Sequence, residues 1–397
     1  MQSFRLTVLL IVASALVAAA CGPSSRSASA SSPTTTSPST STLSSSTTAQ
    51  SASAAPFLAG LNTVTKIGST VPANGDVNPY GVAIVPVSEG RLVAGDTLVS
   101  NFNSKANVQG TGTTLVQVSS TGTSQLFADL SHLPAGASCP GGVGLTTALG
   151  ILPGGWVVVG SLPTAAGGAL PSPDPVGCLI VVNDAGTPVE TVTNPDVVGP
   201  WDMTMTSTPS TASLFISNAL GGNTSTKNGV PVAGNCTVVR IDVSLTAAAP
   251  PKVTSTTVIG TAYPWKANMA ALVLAPTGLA LGSNDTLYVE NAQTNTISAI
   301  PDATTRTTAL TAAATQIASG GALNAPLGMV VAPNGDIVIV NGNDGNAIEF
   351  TPAGKQILTK TLVKNGAGDL FGLAIAPNDQ SIVFVNDGAN ALDLYHA

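Results

Sequence analysis

Leu327-Gly328-Met329-Val330-Val331, followed after a short gap by Ile337-Val338-Ile339-Val340-Asn341, decides the fold of this 397-residue chain. The phrase is a Gly beside an apolar run, a turn, and a second apolar run closing on Asn. It occurs as Tyr80-Gly81-Val82-Ala83-Ile84 with Leu98-Val99-Ser100-Asn101, and as Thr277-Gly278-Leu279-Ala280-Leu281 with Leu287-Tyr288-Val289-Glu290-Asn291. The last copy is Phe371-Gly372-Leu373-Ala374-Ile375 with Ile382-Val383-Phe384-Val385-Asn386. Runs this short are strands, and strand units repeating at this period stack as the blades of a β-propeller.

Six copies can be laid out, from Asn78 to about Leu130, Cys139 to Asn194, Val197 to Ile259, Leu272 to Ser319, Asn324 to Val363, and Asp369 to the end of the sequence. The sixth has room for only three strands, which leaves an open sheet edge that folded proteins avoid. One spare strand, Asn62–Ile67, precedes the first copy and can fill the gap. The expectation is an all-β, six-bladed propeller whose N-terminal strand closes the last blade. A seventh blade requires structure hidden in the connection Thr261–Leu272.

Three segments are expected. Residues 1–20 have the form of an export signal, with Arg5, an apolar core over Leu6–Val17, and Ala18-Ala19-Ala20 at the cleavage region. Cys21 follows at once, resembling the lipidated first residue of a bacterial lipoprotein, although Ala18 stands where that pattern usually has Leu; ordinary cleavage leaving a free thiol is the alternative. Residues 21–56 are Ser, Thr, Ala and Pro with one charge, Arg26, and have too little to bury to order themselves. They read as a disordered stalk holding the propeller, residues 57–397, away from a membrane or wall. The expected location is the outer leaflet of a bacterial membrane or the cell surface, with the membrane reached through lipid on Cys21.

Apart from Arg5 and Arg26, 11 basic residues face 20 acidic ones, a formal charge of −9. With no basic patch, nucleic acid is excluded as a partner. In an oxidising setting the remaining cysteines, Cys139, Cys178 and Cys236, suggest a disulfide. Cys139 and Cys178 share a blade and are the favoured pair, while Cys236 occupies in the third blade the place of Cys178 in the second, which leaves its pairing open.

Pro333-Asn334-Gly335-Asp336 leading into Ile337–Asn341, with Thr351-Pro352-Ala353-Gly354, resembles an NHL repeat. The resemblance covers Asn78 to the C-terminus in outline and is sharp over the last three blades. It implies a six-bladed propeller of the NHL or gluconolactonase-like group, which includes binding modules, lyases and calcium-dependent lactonases. The lactonases hold calcium through an early Glu, an Asn and an Asp. Here the first-blade position reads Asn78-Pro79-Tyr80-Gly81, without Glu.

In a propeller, the turns leading into each innermost strand and those between second and third strands share one face, called upper below. That face is expected to gather Tyr80, Trp201, Asp202, Asn101, Asn218, Asn291 and Asn341 as ligand-binding candidates. Because Asn recurs in five copies, turn capping is the simpler role for it. Gly199-Pro200-Trp201-Asp202 has no equivalent acid in other blades and is the better candidate. Asp202, Glu290 and Asp344 are the acids considered for calcium, Asp344 lying in the oxygen-rich turn Asn341–Asn346. With only His132 and His396 in the chain, Ser-His-Asp chemistry is a poor fit. The expected function is recognition of a carbohydrate, peptide or protein partner at the channel mouth. A calcium-dependent hydrolase or lactonase and a structural envelope protein are the alternatives.

Overall fold

The computed structural model describes residues 55–165, 168–169, 176–221, 226–227, 230–231, 236–246, 249–268 and 271–397. The export segment, Cys21 and the stalk up to residue 54 lie outside the described residues.

Six antiparallel sheets form the blades of a propeller. Blade 1 consists of Val77–Ile84, Thr97–Asn103, Gln109–Val118 and Ser124–Asp129. Blade 2 has Leu149–Leu152, Trp156–Ser161, Cys178–Val182 and Pro188–Val192. Blade 3 has Pro200–Ser207, Thr211–Asn218, Cys236–Thr246 and the long Ala249–Tyr263, with Leu310–Thr311 added at its edge. Blades 4 and 5 are Pro276–Leu281, Leu287–Asn291, Thr296–Ile300, Gln316–Ser319, and Pro326–Val331, Ile337–Asn341, Asn346–Phe350, Gln356–Thr361. Middle strands are covered on both faces by neighbouring blades, so every residue of Ile337–Asn341 and Cys178–Val182 is buried. This explains why those strands read as continuous apolar runs. The outer strand Gln356–Thr361 meets solvent and carries Gln, Thr and Lys.

Blade 6 takes three strands from the C-terminus, Leu370–Ile375, Ile382–Asn386 and Ala391–His396, and its fourth, Thr63–Ser69, from the N-terminus. The ends pair antiparallel from Thr63 opposite His396 to Ser69 opposite Ala391. The connection after blade 3 holds a hairpin, Lys266–Asn268 with Leu272–Leu274, and not a blade. Its Trp265, Leu272 and Val273 join the apolar cluster that contains Tyr80 and Trp201.

The lead-in to the closing strand is pinned. The Phe57 and Leu58 amides donate to the two oxygens of Glu349 at 2.5 and 2.9 Å, and the Leu61 carbonyl accepts from Tyr395 Oη at 2.7 Å and Lys360 Nζ at 3.1 Å. Glu349→Ala leaves two amides without their acceptor. We expect it to lower stability by about 1–3 kcal/mol, with Glu349→Gln losing less because one acceptor remains. Denaturant unfolding monitored by circular dichroism checks this, and an unchanged midpoint for the Ala variant means the lead-in adds nothing.

Cys139 and Cys178 form a disulfide, with Cα atoms 5.3 Å apart, whereas Cys236 is free and buried. The bridge spans 39 residues, and its loss is expected to cost about 4 kcal/mol in the chain-entropy account. Comparing the melting of the oxidised chain with the double Ser variant tests that figure.

Candidate functional site

Aligning the innermost strands by their bulges reveals a column of glycines, namely Gly81, Gly278, Gly328 and Gly372. Each is where one inner strand meets the next. A Cβ on Gly81 would stand 2.6 Å from the Thr147 carbonyl of blade 2, one on Gly328 would overlap the Phe371 carbonyl, and one on Gly372 the Tyr80 carbonyl. In blade 3 the same column holds Asp202.

The residue just before this column closes the upper end of the channel. Tyr80 and Trp201 are 2% exposed, Leu327 is 4% exposed, and Phe371 packs against Tyr80 with ring centroids 5.0 Å apart. Trp201 Nε1–H donates to Tyr80 Oη at 2.5 Å, and Tyr80 Oη–H donates to the Leu327 carbonyl at 2.8 Å. The upper face therefore offers neither Tyr80 nor Trp201 to a ligand, contrary to expectation. Each ring fills the channel end and satisfies its polar atom within the plug.

The Asn residues take the simpler of the two roles considered for them, fastening turns, and not ligand binding. Asn101, Asn218, Asn291 and Asn341 are at most 1% exposed. Asn218 Oδ1 accepts from the Val198 and Gly199 amides, Asn291 Oδ1 from Gln293 and Thr294, and Asn341 Oδ1 from Asn324. Asn101 Nδ2 donates to the Thr70 carbonyl. These side chains fasten upper loops to blade ends.

A second column lies just before the turn Asn, on the second strand of each blade. Ser100 Oγ accepts from the Gly81 amide at 3.0 Å and Ser217 Oγ from the Asp202 amide at 3.1 Å. In blade 4 that task falls to Glu290, whose Oε1 accepts from the Gly278 amide at 2.9 Å. A serine suffices in blades 1 and 3, so the carboxyl brings a surplus oxygen. Glu290 is 0% exposed and its Oε2 has no protein partner. The next amide along, Leu279 N–H, donates to Asp202 Oδ2 at 2.8 Å. Asp202 and Glu290 thus have their carboxyls on consecutive amides of one inner strand, with Asp202 lining the channel and Glu290 buried behind it. The sequence held the signal: among Ser100, Ser217, Glu290, Val340 and Val385, one position alone is acidic.

Below the plug lies a cavity of about 360 Å³, lined by the inner strands of five blades and widening towards Ile84, Thr204, Leu281, Val331 and Ile375. Among the described residues Asp202 is the only ionisable carboxyl lining it, and no Lys, Arg or His does so. Asp202 is open to the channel but enclosed by protein, and this burial pushes its carboxyl up to about 7, against the opposing amides of Leu279 and Met203. Burial, together with the nearby Asp202, also raises Glu290 well above the usual carboxylate range. At its lower mouth the cavity shares Thr204, Leu281 and Val331 with a furrow of about 700 Å³, which continues through Thr206 and Thr304 into a hydroxyl-rich hollow on blade 3.

The acids considered for calcium do not form one site. Asp344 sits in its blade 5 turn, accepting from Asn341, Asn324 and the Asn346 amide, apart from the Asp202–Glu290 pair. Among the described residues no three His, Cys, Asp or Glu side chains are grouped to hold a metal. The residues present do not fit the calcium centre that the resemblance implies, and no chemistry is routed through it.

No protein-family profile and no curated protein sequence matches the chain. Solved structures do. A gluconolactonase from Xanthomonas campestris is similar with 13% identity and a TM-score of 0.52, covering 86% of this chain and 91% of its own. A luciferin-regenerating enzyme is similar with 10% identity and a TM-score of 0.50, covering 85% and 96%. At such identity the likeness concerns the fold, which is a gluconolactonase-like six-bladed β-propeller.

The raised Asp202 carboxyl has a consequence for stability. Its folded state holds a proton that the unfolded chain releases near pH 4, so the stability it contributes is full below about pH 4. That contribution declines as pH rises, at up to about 1.4 kcal/mol per pH unit, and levels off once pH passes the folded value near 7. Asp202→Asn lacks this titration. The difference in unfolding free energy between the two proteins should therefore move in favour of the variant from pH 4 to 7 and then stay constant. A difference independent of pH would show Asp202 to be ionised throughout.

Proposed function

We propose that this chain is an exported, lipid-anchored recognition propeller that takes its ligand from the lower face, with an apolar part in the central channel and a polar part along the Ser/Thr furrow. The observation that carries this reading is the blind channel, plugged above by Tyr80 and Trp201 and open below, with Asp202 at its floor and Glu290 buried behind it. Its volume lies within the range of about 300–1,000 Å³ usual for small-molecule sites. Export and anchoring are supported by the Met1–Cys21 pattern and by the Cys139–Cys178 disulfide, which suits an oxidising compartment. A carbohydrate or a peptide carrying an apolar group meets the demands of the furrow and channel together.

One observation favours hydrolysis as a second reading. A carboxyl that titrates near neutrality beside another acid suits general acid–base catalysis. In that case lactone or ester turnover is lost in Asp202→Asn and does not depend on calcium.

The test of the leading reading is a thermal-shift screen of the full chain against short peptides, oligosaccharides and aliphatic compounds, repeated on Leu281→Phe. A bound ligand raises the melting temperature by mass action. Leu281 lines the channel near its lower mouth, so Phe should narrow the opening and weaken the hits about tenfold or more, the effect of losing roughly 1.4 kcal/mol. Hits that bind the variant equally well place the site elsewhere and sink the reading.

A further inference from the structure

We propose that the channel floor binds the ammonium group of a small organic amine whose alkyl or aryl part fills the lumen. The inference rests on the lower-mouth reading and names the ligand class for that site.

Three observations lead to it. The cavity is lined by aliphatic side chains, Leu279, Leu281, Val331 and Ile375 among them, alternating with polar atoms of the inner strands, and Asp202 sits at the blind end. The floor carboxyl has no counter-charge: among the described residues no Lys, Arg or His lines the cavity, and behind Asp202 the buried Glu290 takes the preceding amide, with its Oε2 lacking a protein partner. Finally, the acidic residues in the two columns hold neighbouring amides of one strand. Glycine at 202 would match blades 1, 4, 5 and 6, and serine at 290 would match blades 1 and 3, so neither carboxyl is demanded by the ring geometry.

A buried carboxyl with no cation nearby pays the full cost of its charge or keeps its proton. A neutral ligand recovers none of that cost. An ammonium recovers it directly, because its charge and its three donors meet Asp202 in a water-poor pocket. The remaining titratable groups close enough to act on Asp202 are Tyr80 and Glu290. Both are neutral or negative, so they favour a cation. The excess of acids over bases in the chain also draws organic cations towards the molecule.

The test compares hexylamine with hexan-1-ol, which has the same chain length without the charge, by calorimetric titration of the full chain at pH 6 and pH 8. The amine is expected to bind about tenfold or more tightly than the alcohol at pH 8, as an added charged hydrogen bond would give. Its affinity is expected to rise roughly tenfold from pH 6 to pH 8 as Asp202 becomes able to accept the cation. Asp202→Asn should remove both the preference and the pH dependence, and Glu290→Gln should reduce the preference. Because amine and alcohol are compared on the unaltered protein, the result stands even if a variant folds poorly. Equal binding of the two compounds overturns the ammonium site while leaving an apolar lower pocket, provided Leu281→Phe blocks both. No binding of either at millimolar concentration also overturns it. Failure of the lower-mouth reading is seen separately, as ligands that bind Leu281→Phe without loss.

Discussion

The molecule depends on how closely six inner strands can approach one another around an axis. At Gly81, Gly328 and Gly372 the backbone of the next blade occupies the space a side chain would need, so the ring closes only where these positions lack one. Each blade then buries its middle strands against its neighbours, and most of the apolar surface is sealed between blades. The inner strands of blades 1 and 3 to 6 carry a bulge, which interrupts the ladder beside the column position. A second-strand side chain, Ser100, Ser217 or Glu290, accepts from the amide there in blades 1, 3 and 4. Where this scheme is followed, the channel wall is inert. Where it is broken, at Asp202, a carboxyl enters the channel lining, with Glu290 buried behind it.

Much of this was legible in the amino acids. The Gly–apolar–Asn phrase pointed to six blades with a seventh left open, and matching the orphan strand near residues 62–67 to the incomplete sixth copy correctly anticipated the closure seen between Thr63–Ser69 and Ala391–His396. Periodicity succeeds here because strands buried on both faces must be apolar throughout. The Cys139–Cys178 pairing followed from their place in one blade.

The site was less legible, for physical reasons. Turn Asn residues look like a polar rim in sequence, yet their amides are consumed by the loops they fasten. Tyr80 and Trp201 sit at the expected end of the channel, but aromatic rings converging on a narrow axis fill it, and a plug cannot be told from a binding wall without knowing the spacing. The open end consequently lies opposite the face that the sequence favours. Glu290 was visible as an acid beside a turn. Its proximity to Asp202 depends on two amides of a third strand, and only the fold brings them together.

The pairing of the first strand with the last has a bearing on how the protein comes into being. Thr65 and His396 are joined by a hydrogen bond across 331 residues of chain. The first strand of the propeller is therefore paired with its last, and blade 6 stays incomplete until Ala391–His396 has been made. Contacts of such long range are slow to form, and until they do, both ends of the sheet are unpaired edges open to other chains. The ring thus acts as a check on completeness: a chain cut short anywhere before its final strand never acquires a closed circle, however well its earlier blades have folded.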